Sequence, residues 1–199
     1  HFQRSAALQA RRGDDAVVDR LTATLDLAGV ENAAGQHAAA VELLTPVHAD
    51  LLSRLGPHHP LTVSAVSELA LAEVRQGHRA ALAPWLEALR GSTGAADAWR
   101  DDHADTLAAM AQLQGGDAAG AEPALRRLLV ALERDEGGIS PATEPLRRLH
   151  AESLLRLGRG AEAEAALQLT LANQGRYSRP DHPGVATTRV LLGIALARR

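Results

Sequence analysis

Four glycines, Gly35, Gly77, Gly116 and Gly158, fall 42, 39 and 42 residues apart, and each opens a segment of one pattern: GQHAAAVELL, GHRAALAPWL, GDAAGAEPAL and GRGAEAEAAL. Five residues after them stand Ala40, Leu82, Ala121 and Ala163; nine after, Leu44, Leu86, Leu125 and Leu167. A fixed period of this length means that each unit is one supersecondary element, which buries its apolar face by stacking on its neighbours. The expected unit is helix A, a tight turn at the glycine, helix B, then a Pro/His/Gly loop. Such arrays usually present a surface rather than a reaction centre, and the repeat does not reveal the partner.

The second unit reads most clearly. Val66, Leu69, Ala70 and Val74 recur at helical spacing, which predicts helix A from Thr62 to Gln76. Gly77 ends it, because glycine accepts the left-handed backbone of a helix terminus. Helix B is expected over Arg79–Arg90, with Leu82, Leu86 and Leu89 on one face and Pro84 near the first turn, as Pro123 is in the third unit. The loop Leu55-Gly56-Pro57-His58-His59-Pro60-Leu61-Thr62 recurs as Asp101–Thr106 and as Arg179–Val185, and more weakly as Gly138–Thr143. Proline disfavours helix in the residue before it, and the threonine after it is expected to cap the next helix A. Thr106 lies only 10 residues before Gly116, against 15 from Thr62 to Gly77, so helix A of the third unit is expected to be short.

Composition limits the chemistry. The chain is 46% hydrophobic but 2% aromatic, so its core is built of Leu, Ala and Val. All 21 basic residues are Arg, which with the heavy use of Ala and Gly points to a GC-rich bacterial genome. Net charge is −3 with the signs interspersed, which leaves no electrostatic footprint for DNA or RNA. No cysteine is present, so disulfides, thiol catalysis and Cys-based zinc sites are excluded. No apolar run reaches membrane-spanning length. The chain begins at His1 and its one Met is Met110, which reads as a processed chain or an excised piece. The compartment stays open, with cytoplasm favoured over display in the periplasm.

The glycine turn, the small residue five positions later, Ala28, Ala70, Ala109 and Ala151 seven before it, and the loop Leu-Gly-Pro-His-His-Pro-Leu-Thr together resemble tetratricopeptide repeats (TPR). The period is similar to that of the kinesin-light-chain variety, which is also found in bacterial signalling proteins. Leu, Ala or Glu fill the family's usual aromatic positions. The resemblance implies an all-α fold, a right-handed superhelical solenoid of antiparallel helix pairs with about four repeats and a terminal helix. Residues 1–12 read as the tail of a preceding helix or a tag remnant; the array covers 13–199, with repeats near 13–60, 61–104, 105–141 and 142–183 and the terminal helix at 184–199.

The resemblance also implies a non-catalytic protein-interaction scaffold that binds a peptide or partner protein on a concave face lined by the A helices, with no cofactor. Counting ten, six and two residues back from the glycines gives stripes at i, i+4 and i+8: Leu25, Gly29, Ala33; Ser67, Leu71, Arg75; and Arg148, Glu152, Arg156. The last stripe, with Arg147 beside it, suits an acidic or carboxylate-bearing peptide, since arginine forks match carboxylates; alternatively its members pair with one another. The final helix has no helix B to cover it, so Val190, Leu191, Leu192 and Ile194 form an apolar stripe on which a homodimer could rest. A sensory or docking region of a larger bacterial regulator, such as a Ser/Thr kinase or transcription factor, is a further reading.

Other candidates are weaker. His58, His59, His103 and His182 lie in equivalent loops about one repeat apart, too far to share a metal, and are expected to bond to their own backbone or the next helix. His150 sits where Leu27 and Leu69 stand and is expected to be a satisfied core histidine. Gly91-Ser92-Thr93-Gly94 is a polar loop, not a phosphate cradle. Trp85 fits the apolar pattern of helix B, and Trp99 is expected in the loop ahead of Asp101, packed over the shortened helix or exposed as a contact anchor.

Overall fold

Helices account for nearly all of the computed structural model, which describes the backbone of residues 2–90, 98–136 and 143–198 and the side chains of 16–90, 99–134 and 143–198. They are α1 (Phe2–Ala33), α2 (His37–Leu55), α3 (Pro60–Gln76), α4 (Arg79–Arg90), α5 (Ala98–Gln114), α6 (Ala118–Glu136), α7 (Thr143–Arg156), α8 (Gly160–Tyr177) and α9 (Pro183–Ala197). No strand occurs among the described residues, and no helix there is long and apolar enough to cross a membrane. The chain divides into two units, His1–Ala104 and Asp105–Arg199. In the first, α1 to α4 pack in succession, and in the second, α6 to α9 do; A helices also meet the next A helix, α1 on α3 and α7 on α9.

The glycine turns follow one design. Gly35, Gly77, Gly116 and Gly158 all have φ between 75° and 86°, a conformation that costs an L-residue roughly 1 kcal/mol or more. At each, the next residue's N–H reaches five residues back: Gln36 to Glu31, His78 to Glu73, Asp117 to Gln112 and Arg159 to Leu154, at 2.8–3.0 Å. This closes the carbonyls of the last turn of helix A and launches helix B antiparallel to it. The small residues keep that hairpin tight: Ala28, Ala70, Ala109 and Ala151 are all fully or almost fully buried, as are Ala40, Ala121 and Ala163 across from them.

Leu21, Leu25, Leu44, Val47, Leu51 and Leu69 form the core between α1, α2 and α3. Trp85 packs against it, edge-on to His48 with ring centroids 5.2 Å apart. In the second unit one apolar cluster joins α5, α6 and the start of α7, and another joins α7, α8 and α9.

Three local expectations change. α5 has 17 residues and takes in Asp101–Thr106, so the third helix A is not short; Ala104 stands where the other loops have proline, and nothing there breaks the helix. The caps are histidines, not threonines. His59 and His182 precede Pro60 and Pro183 at the first helical positions, and their Nδ1 atoms accept from the N–H groups of Leu61 (3.2 Å) and Gly184 (3.1 Å). Thr62 is instead buried inside α3. Pro84 and Pro123 sit inside their helices, in the second turn rather than the first, both exposed. The expected loops at Gly91–Gly94 and 138–142 lie outside the described residues.

Candidate functional site

The face of the first unit made by α1 and α3 carries an open cavity of about 440 Å³. Gly29 and Ala33 give it a small-residue floor, Leu71 a half-buried apolar wall and Arg75 an exposed rim. Its polar groups are already engaged: the Asn32 Nδ2 donates to the Glu68 carbonyl (3.0 Å) and carboxylate (2.8 Å), and Asn32 Oδ1 lies 3.2 Å from His37 Nδ1. Arg75 makes no ion pair among the described residues. Ser67 is half-buried nearby in α3, but Leu25, read from the sequence as part of this face, is 6% exposed and belongs to the core. Helical side chains lean toward the helix N-terminus, which here carries Leu25 into the α1–α2–α3 core.

The second unit treats its arginines differently. Arg147 is buried, donating from Nε (3.0 Å) and Nη2 (2.7 Å) to Glu133 of α6 and from Nη1 (3.0 Å) to Glu144 one turn earlier in α7. It ties α6 to α7 and offers no face to a partner. Arg156 is bonded to Glu152 at 2.7 Å and also donates to the Leu113 carbonyl, so these two stripe members satisfy each other.

Arg148 alone of that stripe is uncommitted: half-buried, without an ion pair among the described residues, its Nη1 3.5 Å from where a Cβ on Gly184 would stand. Burial pulls its pKa down, against the pull of Glu144 and Tyr177. It opens on a cavity of about 600 Å³ shared with Glu144, Gln174, Tyr177, Ser178 and His182. Burial, with the Glu144 carboxylate beside it, pushes the Tyr177 hydroxyl up to about 12.

On α9, Val190 is 63% and Ile194 37% exposed, while Leu191 and Leu192 pack against the α7–α8 core. Trp99 lies in the first turn of α5, 54% exposed, rather than in a loop or packed away. His150 meets the buried Glu122 carboxylate at 3.3 Å, as a satisfied core histidine should. Glu122 also faces Arg159 at 3.1 Å; burial pushes its carboxyl up, but His150, Arg126 and Arg159 outweigh that and hold it below the usual range.

Arg100 escaped the sequence reading. It is 2% exposed and donates to His58 Nδ1 (3.2 Å) and to the Ala88 carbonyl (3.0 Å). The period was its signal, since Arg100 lies one repeat, 42 residues, after His58.

No protein-family model matches the sequence, and no curated protein sequence matches it. Solved structures do. A kinesin-light-chain-like protein of Podosopora anserina with nearly identical TPR-like repeats aligns at a TM-score of 0.63, and a form of it carrying a substitution at 0.65. In both cases identity is 22%, and the alignment covers 90% of this chain and 86% of the other. The chain therefore has the fold of kinesin-light-chain-type TPR-like repeats.

Proposed function

We propose that the chain is a non-catalytic interaction scaffold, which docks a segment of a partner protein across the α1–α3 face of its first unit. The observation that carries this is the open cavity where Leu71 and Arg75, which has no ion pair among the described residues, stand beside the small residues Gly29 and Ala33. Small residues let a ligand backbone come close, Leu71 offers apolar contact, and Arg75 suits an acidic group on the same segment. Peptides selected from a random library against the whole chain provide the test. Leu71→Asp and Arg75→Glu are each expected to weaken the selected peptides about tenfold or more, a cost of roughly 1.4 kcal/mol. Peptides that bind both variants as tightly as the parent would remove this face from consideration.

A second reading has its own observation, the exposed Val190 and Ile194 one turn apart on α9. A second copy of the chain docking there would appear as a mass that rises over a hundred-fold concentration range. Ile194→Glu would abolish the rise. Ile194 is the better probe than Leu191, which packs into the core.

A further inference from the structure

Helices α7, α8 and α9 repeat α1, α2 and α3 at an offset of 123 residues (Gly35 to Gly158), which superposes Ala163 on Ala40, Leu167 on Leu44 and His182-Pro183 on His59-Pro60. At one corner of the repeat the two copies differ in kind. In the first unit Leu21, Leu25, Leu51, Leu55 and Leu61 all belong to or pack against a single apolar cluster, which closes the space between the three helices. The same positions in the second unit are Glu144, Arg148, Gln174, Ser178 and Gly184. There the corner is open, as the cavity of about 600 Å³ onto which Arg148 faces.

Exchanging leucines for polar groups at an interior corner costs stability unless each group is met by a hydrogen bond. Two fall short. Glu144 and Gln174 are each 3% exposed; Gln174 Oε1 has no hydrogen-bond partner among the described residues, and the Glu144 carboxylate, bonded to Arg147 through Oε1, has the Tyr177 hydroxyl beside it but no close partner for Oε2. Arg148 adds donors without an ion-pair partner among the described residues, its Nη1 lying 3.5 Å from where a side chain on Gly184 would begin. The lining thus holds two acceptors short of donors and one half-buried cationic donor without an ion pair among the described residues.

We infer that this corner is a ligand site for a head group carrying N–H donors beside an oxygen acceptor. The N–H groups meet Glu144 and Gln174, and the oxygen meets Arg148. A simple anion leaves both acceptors unmet, and an apolar group leaves all three unmet. Two sources share the required chemistry. A free α-amino acid carries ammonium and carboxylate on one carbon, and the side-chain carboxamide of a partner's Asn or Gln carries both atoms in one group. The site is separate from the α1–α3 face and does not depend on it.

Isothermal titration calorimetry on the whole chain tests this with two probe series, the free amino acids and the N-acetyl amides of asparagine and glutamine. Ligands of this size are expected to bind with a Kd on the order of 1 mM. Arg148→Leu, Gln174→Leu and Ser178→Leu each restore the residue of the first unit. They are expected to weaken binding at least tenfold, while helicity is kept and the urea midpoint holds or rises. Binding confined to the free amino acids supports the site and makes its ligand a small molecule; binding confined to the blocked amides supports it and makes the ligand a partner side chain. Absence of binding in both series, or binding unchanged in every leucine variant that keeps its helicity, overturns the inference and leaves a cavity that takes up water only.

Discussion

Arg147→Met removes a buried positive charge while keeping most of the side-chain stem. Arg147 and Glu144 are 3% and 4% exposed along their side chains, and their bond is 3.0 Å long; Glu133, the other acceptor, is 34% exposed. Breaking a buried pair by removing one partner costs about 3–5 kcal/mol, because the survivor is left as an uncompensated charge. The Glu133 arm, near the surface, adds less than about 1 kcal/mol. The loss therefore falls mostly on Glu144 and should come to about 3 kcal/mol, allowing for partial relaxation. With a urea slope of about 1–3 kcal/mol/M, the midpoint read by far-UV circular dichroism should fall by roughly 1–3 M. Adding Glu144→Gln removes the stranded charge, so the double variant should be more stable than the sum of the singles, with a coupling of about 1–3 kcal/mol. A loss below about 1 kcal/mol, or strict additivity, would show that the guanidinium is not a structural staple, which would return Arg147 to the pool of partner-binding residues.

Tyr177 is the chain's one tyrosine, so phenolate absorbance reports it alone. The folded protein should titrate near pH 12 against about 10 unfolded; the phenol's contribution to stability is thus complete below pH 10 and lost as pH rises through 12. Glu144→Gln should bring the midpoint down. His48 and His103 are both depressed, chiefly by burial. Since the fold favours their neutral forms, stability present above the unfolded value near 6.5 should drain as pH falls below it. Replacing both with Gln should flatten the urea midpoint between pH 7.5 and 5.5. Gly77→Ala should destabilise by about 1–2 kcal/mol, because its φ is 76°. Gly29→Ala should stabilise by about 0.5–1 kcal/mol, since a Cβ there meets nothing within 4 Å; paired urea melts compare the two.

The period carried most of the fold. α4 begins and ends where the apolar spacing put it, α3 starts two residues early, and the four turn glycines have the backbone expected of them. These features are local, and a helix's spacing and its terminating glycine lie in adjacent residues. The caps were misread because proline takes the first helical position and leaves the cap to the residue before it, His59 or His182, with His59 three residues ahead of Thr62. The site was less legible. Stripes counted from a glycine fix a helix face but not the reach of its side chains. Arg147 and Arg148 are neighbours in sequence, yet one is consumed by Glu133 and Glu144 and the other faces a cavity. Glu144 lies three residues before Arg147 and is within reach of helical spacing, but Glu133 stands on α6, where no spacing rule within α7 would have found it. The leucine-to-polar corner was visible once the first and fourth repeats were aligned. Its meaning required knowing that Leu21, Leu25 and Leu51 are core.

Hydrogen exchange of the whole chain, alone and with a library-selected peptide, tests the scaffold reading most directly. Slowed exchange concentrated in Gly29–Ala33 of α1 and Ser67–Arg75 of α3, and absent from Arg75→Glu at the same peptide concentration, is the predicted result. Protection confined to the outer faces of α4 and α6, or unchanged in that variant, would contradict it.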